Sequence, residues 1–168
     1  MAKRLEIATV PHPVLHQQAR EIRDINHQIV ELAKNMVETM YAAPGIGLAA
    51  PQVNQSLRLI TVDLSVGEKP DQLIILINPQ IKEMEGEDID EEGCLSVPEI
   101  HEKVKRPLRV LVSGYTLEGK ERTIEAEGLS ARVFCHEIDH LNGILFIDRL
   151  SPLKRSLIRK KLRKQRVS

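Results

Sequence analysis

The chain is poor in aromatic residues. Among its 168 residues there are two Phe, two Tyr and no Trp. Proteins that bind single-stranded nucleic acids without sequence preference stack the bases on aromatic side chains. Four scattered rings are too few for such a surface, so the composition argues against a base-stacking protein.

Long apolar runs are also missing. No run approaches the roughly 18 residues of a membrane span, and Pro11 and Pro13 interrupt the N-terminal segment 1–15, so we expect no signal peptide. Only Cys94 and Cys135 are present. Without an export signal, two cysteines are expected to be reduced thiols, either of which could react as a thiolate. We therefore expect a cytoplasmic protein without membrane association.

Net charge is zero, but it is unevenly distributed. Eight of the 24 Lys and Arg residues lie in 150–168, which has no acid, so residues 1–149 carry 16 basic against 24 acidic residues, a net charge of −8. Ser151 and Pro152 predict the start of a helix over this basic tail. An apolar stripe is predicted along it, formed by Leu153, Leu157, Ile158 and Leu162. Uncompensated positive charge predicts a polyanionic partner, and without an aromatic anchor in the stripe we favour RNA phosphates over a membrane surface.

Periodicity predicts the order of the elements. Apolar residues recur at helical spacing after a cap at Asp24 or Asn26 and continue until Pro44. Strands are predicted over 57–64, 73–77, 109–115 and 123–127, the last two as a hairpin, and a second helix from an N-cap at Ser130 to a stop at Gly143. We predict one domain, 1–168, of the α+β class. Antiparallel or mixed sheets are expected to pack around a central metal-binding helix, with an N-terminal helix and a C-terminal basic helix.

The second helix carries the pattern His136-Glu137-Ile138-Asp139-His140. Residues four apart on a helix project from one face, so both imidazoles can bind one metal, while Glu137 lies about 100° further round as a candidate base. A chance match in a chain of this length is on the order of one in a few hundred. We therefore favour a metal site over two surface histidines.

A third ligand must come from upstream. Phe146 stands where metzincin proteases have their third His, and Asp148, the only later acid, is too close in sequence to return from another helix. The upstream candidates are His12, His16, His27, His101, several acids and Cys94. Cys94 lies in a small-residue turn that suits an aimed thiolate and is favoured, whereas Cys135 points about 100° away from the ligand line and is expected in the core.

Three segments resemble the peptide deformylase family. They are Gly45-Ile46-Gly47-Leu48-Ala49-Ala50-Pro51-Gln52, Glu92-Gly93-Cys94-Leu95-Ser96 and His136-Glu137-Ile138-Asp139-His140, and their order and spacing agree with the family. The resemblance implies removal of the N-formyl group from the N-terminal methionine of newly synthesised proteins. It also implies one divalent metal per chain on Cys94, His136 and His140, with Fe²⁺ native and Zn²⁺, Ni²⁺ or Co²⁺ able to substitute.

Further roles are assigned on this basis. Glu137 is the expected general acid/base, and Gln52 and the Leu95 backbone N–H are the expected oxyanion donors. Glu92 and Asp139 are interpreted either as groups that orient the histidines or as ordinary salt-bridge partners. A pocket for the methionine side chain is predicted, lined by Ile46, Gly47, Leu129 and Val133.

The sequence also leads to expectations about binding partners, and it leaves two alternative functions open. The resemblance implies formyl-Met nascent peptides as substrates and docking at the ribosome by the basic helix, and we expect a monomer. Asp90, His101 and Arg132 stand where better-known members often have apolar or other residues, which bears on peptide preference. The main rival is a zinc peptidase of the His-Glu-x-x-His type, and a second is a closed structural metal site with four protein ligands.

Overall fold

The computed structural model describes residues 2–167, except the side chains of 166 and 167, so the predicted positive charge of Arg166 lies outside the described side chains. Its helices are α1 (His27–Ala42), α2 (Leu129–Leu141) and α3 (Pro152–Val167). Its strands are β1 (Gly47–Ala49), β2 (Leu59–Val62), β3 (Ile74–Glu85), β4 (Asp88–Cys94), β5 (Val97–Arg106), β6 (Arg109–Tyr115) and β7 (Glu121–Glu127). Short 3₁₀ helices cover Pro13–His16, Ala50–Val53 and Phe146–Arg149. Within residues 2–167, no helix is both long and apolar enough to cross a membrane.

The strands form two separate sheets. Five strands pair in the order β1-β2-β3-β6-β7, and β4 pairs with β5 in a two-stranded sheet that we call the β4–β5 ribbon. Every pairing within them is antiparallel. Helix α2 packs against both sheets and is buried from Ala131 to Leu141. The predicted α+β class with a central helix is confirmed, and of the two sheet types expected, these sheets are antiparallel.

Helix α1 follows its predicted periodicity. Of the two candidate caps it uses Asn26, whose side chain accepts a hydrogen bond from the Ile29 amide at 3.1 Å. Ile29, Ala33, Met36 and Met40 are buried at helical spacing against the five-stranded sheet.

Helix α2 begins earlier than predicted. Its N-cap is Gly128, which has a φ of 60° and offers no side chain, so the predicted cap at Ser130 is wrong and Ser130 lies in the first turn. A positive φ is easily adopted by glycine, and it turns the chain directly out of β7 into the helix. The predicted stop is confirmed, because Gly143 has a φ of 72° just after the C-cap Asn142.

Four of the strands depart from the predicted pattern. Strand β3 continues well past the predicted end at residue 77, and the left-handed Asn78 is absorbed by a register shift between Ile77 and Gln80. Strands β1, β4 and β5 were not predicted, because Gly47–Ala49 is very short and neither Asp88–Cys94 nor Val97–Arg106 has alternating apolar residues. The hairpin of β6 and β7 is confirmed.

The basic helix α3 is docked on the ribbon side of the molecule. Ile158 is buried with Val97, Ile100 and Val104 of β5, but Leu153 is 70% exposed and Leu157 is 56% exposed. The predicted apolar stripe is therefore split, with one part in the core and one part on the surface.

Candidate metal centre

The structure brings Cys94, His136 and His140 together. Their ligand atoms all lie within 4.8 Å of one another. Both histidines project from the same face of α2, as their spacing requires. Cys94 is the last residue of β4, where its side chain shares the inward face with Glu92, because side chains alternate along a strand.

The donor set fits a metal ion. The Cys94 Sγ lies 3.4 Å from the His140 Nε2. With typical metal–sulfur and metal–nitrogen bond lengths, two such ligands of one tetrahedral ion would lie about 3.6 Å apart. His136 uses its Nδ1 to bond the Glu92 carboxylate at 2.9 Å, which leaves Nε2 as the ring nitrogen that could bind a metal. One thiol and two imidazoles at this spacing suit Fe²⁺, Zn²⁺, Ni²⁺ or Co²⁺ better than the oxygen-preferring Mg²⁺ or Ca²⁺.

Glu92 orients His136, but Asp139 has another role. Burial alone would raise the pKa of Glu92, but hydrogen bonds from Arg106 and His136 outweigh it and lower that pKa to about 2. Asp139 bonds Arg106 at 2.6 Å and Arg149 at 2.7 Å. Of the two interpretations offered for this pair, the histidine-orienting one describes Glu92 and the salt-bridge one describes Asp139.

Glu137 lies beside the histidines in a confined space. Its side chain is buried, and its Oε1 has no hydrogen-bond partner among the described residues. A Cβ at Gly47 would come within 2.6 Å of Glu137 Oε2 and 2.9 Å of a Val133 methyl group, so only glycine leaves room for this carboxyl. Burial raises the pKa of Glu137 to about 7. Glu137 lines the same pocket as Cys94 and His136.

Gln52 is held next to Cys94. Its Oε1 accepts a hydrogen bond from the Ala49 amide at 3.0 Å, which fixes the orientation of the side-chain amide. Its Nε2 then points to Ser96 Oγ at 3.2 Å and to Cys94 Sγ at 3.6 Å. Leu95 and Ser96 form the two-residue link between β4 and β5, so the Leu95 amide directly follows Cys94. Both predicted oxyanion donors thus lie at the cluster.

A pocket of about 390 Å³ opens over these residues. All four residues predicted to bind the methionine side chain line it, namely Ile46, Gly47, Leu129 and Val133. Gln52, Cys94, Leu95, His136 and Glu137 line it as well. Leu129 is 54% exposed and so belongs to its rim, whereas Val133 is buried.

The rejected ligand candidates lie elsewhere, with one exception. His12 caps a 3₁₀ helix by accepting a hydrogen bond from Val14, and His27 is an exposed partner of Glu31. Cys135 is in the core between α2 and the sheet, where burial raises the pKa of its thiol to about 11. His101 does line the pocket, opposite Gly93 in the β4–β5 ribbon.

Sequence reasoning missed the two buried arginines around Glu92. Arg106 bonds both oxygens of Glu92 at 2.8 and 2.9 Å, and Arg132 bonds Oε2 at 2.6 Å. These partners are 14 and 40 residues apart in sequence. No local pattern connects residues so far apart, although Arg132 had been noted as a departure from the family.

Comparison with known proteins supports the resemblance. The family described as Polypeptide deformylase matches residues 4–156. The peptide deformylase of Thermodesulfovibrio yellowstonii is 55% identical over 159 residues, which cover 95% of this chain and 96% of that protein. The crystal structure of a peptide deformylase from Legionella pneumophila has a TM-score of 0.91 at 41% identity, covering 97% of this chain and 95% of its own. A peptide deformylase from Synechococcus elongatus, solved in complex with actinonin, has a TM-score of 0.88 at 37% identity, covering 97% of this chain and 91% of its own.

Proposed function

The chain belongs to the polypeptide deformylase family and is an enzyme that removes N-formyl groups from nascent proteins, and we propose that Cys94, His136, His140 and Glu137 carry out this reaction. The observation that supports the assignment is the thiol and imidazole cluster with the buried Glu137 carboxyl beside it, of which Cys94, His136 and Glu137 line one pocket. An alternative assignment would have to place three metal ligands and a base elsewhere among the described residues, and no second cluster of three metal-ligating groups is found there.

The metal would be held by the Cys94 thiolate and by the Nε2 atoms of His136 and His140. A divalent ion in such a site supplies Lewis acidity that makes water nucleophilic near neutral pH, because three protein ligands leave a coordination position open. We infer Fe²⁺ as the native ion on the family resemblance, and the sulfur and nitrogen ligands also suit Zn²⁺, Ni²⁺ and Co²⁺. Glu92, held by two arginines, would keep the His136 ring in the orientation in which Nε2 can bind an ion, because Nδ1 is bonded to the carboxylate.

Glu137 would transfer the proton. It accepts a proton from the attacking water as the new carbon–oxygen bond forms at the formyl carbon, and it donates that proton to the amine nitrogen as the carbon–nitrogen bond breaks. The second proton of the water leaves formic acid and protonates the released amine, so the products are formate and a peptide with a protonated N-terminal amine. The Glu137 carboxyl lines the pocket beside His136, and none of its oxygens has a hydrogen bond to another described residue that would have to be broken for this transfer.

Two groups would stabilise the developing negative charge on the formyl oxygen. The Gln52 amide is already oriented by its bond to Ala49, so no reorganisation is needed at the moment of reaction. The Leu95 backbone N–H follows the ligand Cys94 and is fixed by the short turn between β4 and β5.

Ile46, Gly47, Leu129 and Val133 would bind the methionine side chain. They line one pocket together with Cys94 and His136, two of the three proposed ligands, and a volume of about 390 Å³ is within the range of small-ligand pockets. A formyl group on the substrate would then lie at the ion, with the peptide extending past the exposed rim at Leu129.

A comparison of substrates distinguishes deformylation from the activity of a zinc peptidase, which is the alternative that the family membership does not favour. The metal-loaded enzyme should release formate from a formyl-Met-Ala-Ser peptide, and actinonin should inhibit it, as expected for a relative of the Synechococcus protein. The acetyl-Met-Ala-Ser peptide is the matched control and should react far more slowly. Cleavage of internal peptide bonds in an unfolded protein, without formate release, would contradict the proposal.

The choice of iron makes a prediction of its own. The Fe²⁺ enzyme should lose activity in air or dilute peroxide, since both the ion and the Cys94 thiolate are oxidised. The Ni²⁺ enzyme, prepared from the same apoprotein, should decay several-fold more slowly because Ni²⁺ resists oxidation. Activity is followed over time beside metal analysis of anaerobically purified protein, and equal decay rates or a native metal other than iron would count against the inference.

We also propose that α3 docks the enzyme at the ribosome. Its outer surface carries exposed Lys160, Lys161 and Lys164, and the body on which it packs is acidic, so attraction from the body does not account for charges that face solvent. Lys154 is the exception, because it reaches Glu102 at 3.4 Å.

Removal of 154–168 should abolish salt-sensitive ribosome binding, while turnover of a free formyl-Met peptide is largely preserved. The deletion also removes Ile158, which belongs to the core. A second variant therefore changes only Lys160, Lys161 and Lys164 to Gln and keeps the helix docked. The plot of log affinity against log salt concentration should become less steep by about 2 to 3 in that variant, because each of the three lost phosphate contacts contributes roughly 0.7 to 0.9 to the slope. Ribosome binding by sedimentation at several salt concentrations decides the question, and unchanged binding in both variants would refute the docking role.

A further inference from the structure

The proposed metal site is assembled from two elements that share no backbone hydrogen-bond ladder. Cys94 ends a strand of the β4–β5 ribbon, while His136 and His140 lie on α2. The ribbon pairs only within itself and is not part of the five-stranded sheet. The distance between the thiol and the two imidazoles therefore depends on side chains that hold the ribbon against α2.

Arg132 makes such contacts to both strands of the ribbon. It lies on α2 one helical turn before His136 and is 3% exposed. Its guanidinium donates to the carbonyl oxygens of Asp88 and Val104 at 2.8 Å each, and to that of Asp90 at 3.4 Å. Arginine is suited to this, because its rigid, planar group carries five donors pointing in different directions.

The same guanidinium also contacts the group that orients a ligand. Arg132 Nη1 donates to Glu92 Oε2 at 2.6 Å, and the other carboxylate oxygen, Oε1, accepts from His136 Nδ1 at 2.9 Å. Arg106 holds the same carboxylate from the ribbon side with two further hydrogen bonds. Glu92 thus receives donors from both elements, and Arg132 is the α2 residue that bonds both this carboxylate and the ribbon backbone.

We propose that Arg132 is a positioning residue that fastens the Cys94-bearing ribbon to the histidine-bearing helix and thereby determines how tightly and in what geometry the metal is held. The proposal rests on the assignment of Cys94, His136 and His140 as ligands. Arg132 does not contact the ligand atoms, and acts through the ribbon carbonyls and through Glu92.

The test uses Arg132→Met, which keeps the length of the side chain and removes its charge and donors, and Arg132→Lys, which keeps the charge but cannot reach Glu92 and the ribbon carbonyls together. Arg109→Met is the matched control. Arg109 pairs with Glu83, Glu85 and Glu125, none of which lines the pocket. Each protein is prepared as apoprotein and loaded with Co²⁺.

Two measurements are made that do not depend on activity. The rate of Co²⁺ loss to excess chelator should rise about 10- to 100-fold in Arg132→Met, the range for groups that support metal ligands, and less in Arg132→Lys. The visible absorption bands of Co²⁺ should shift and broaden in Arg132→Met, because the thiolate and the imidazoles are no longer held at one geometry. Arg109→Met should match the wild type in both measurements.

A general structural role would give a different result. If Arg132 only stabilised the fold, apoprotein and Co²⁺ protein would lose the same amount in melting temperature, and the spectrum and the rate of metal loss would stay as in the wild type, which overturns the proposal. The proposal is also overturned if Arg132→Lys loses Co²⁺ at the wild-type rate. The lysine variant therefore tests the proposal even if Arg132→Met does not fold. The ligand assignment is tested separately. If Cys94 binds the ion, the wild-type Co²⁺ protein has a thiolate charge-transfer band and the Cys94→Ser protein does not. If the wild-type protein has no such band, the ligand assignment itself is wrong.

Discussion

Glu137→Ala will retain the metal and lose nearly all deformylation. The substitution removes the proposed proton acceptor and none of the three ligand atoms. General acid/base groups contribute about 10²- to 10⁴-fold to rate, so kcat for a formyl-Met peptide should fall by that factor while metal content stays at one per chain. Formate release and elemental analysis of the same sample measure the two quantities.

Glu137→Gln is the matched control for packing. It keeps the side-chain volume against Gly47, so a cavity cannot be the cause of its defect, and it should be nearly as inactive as the alanine variant. Loss of metal from both variants would mean that Glu137 is itself a ligand or an essential support of one. Substantial activity in Glu137→Gln would show that another group moves the proton.

Cys94→Ser will strongly weaken metal binding, and Cys135→Ser will leave it almost unchanged. The Cys94 Sγ lies within 4.8 Å of a ring nitrogen of each histidine, a spacing at which one ion could bind all three, whereas Cys135 lies in the hydrophobic core. Loss of a group that merely supports a ligand costs about 10- to 100-fold in affinity, and loss of a thiolate ligand should cost more than that. Competition with a chelator of known affinity gives the metal dissociation constant for each variant.

For the stability of the apoprotein the order of the two variants is reversed, and Cys135→Ser should have the larger effect. Cys135→Ser places a hydroxyl in an apolar setting and should lower the free energy of unfolding of the apoprotein by about 1–3 kcal/mol. Cys94→Ser should change apoprotein stability little, since Cys94 is half-buried. Equal loss of metal from both variants would sink the assignment of Cys94 as the third ligand.

The elements that could be predicted are those with a local signal. The apolar period of α1, with its cap at Asn26, and the alternating hairpin of β6 and β7 each depend on neighbours a few residues apart. Strand β4 had no such signal, because its inward-facing Glu92 is compensated by arginines that come from β5 and α2. The start of α2 was misplaced because a glycine N-cap with positive φ leaves no side-chain signature.

The candidate site shows the same division. The two histidines and Glu137 follow from spacing on one helix, and Cys94 follows from elimination and from its turn. His101 was weighed as a ligand and is found on the pocket wall instead. The role of Asp139 could not be chosen from sequence, because a carboxylate next to a ligand can orient a histidine or bind an arginine, and only the position of Arg149 and Arg106 decides between them.

By itself, the sequence predicted the chemistry of the candidate site. Helical spacing selects two imidazoles and a carboxyl base, because side chains four apart share a helix face, and the small-residue turn at Cys94 favours a thiolate as the third ligand. Only the tertiary structure decided how the base is buried, which carboxylate orients His136, and that Arg132 joins the ribbon to α2. The physical reason is that burial and hydrogen bonding between elements depend on which distant segments meet, and polar side chains become tightly paired only where packing removes water.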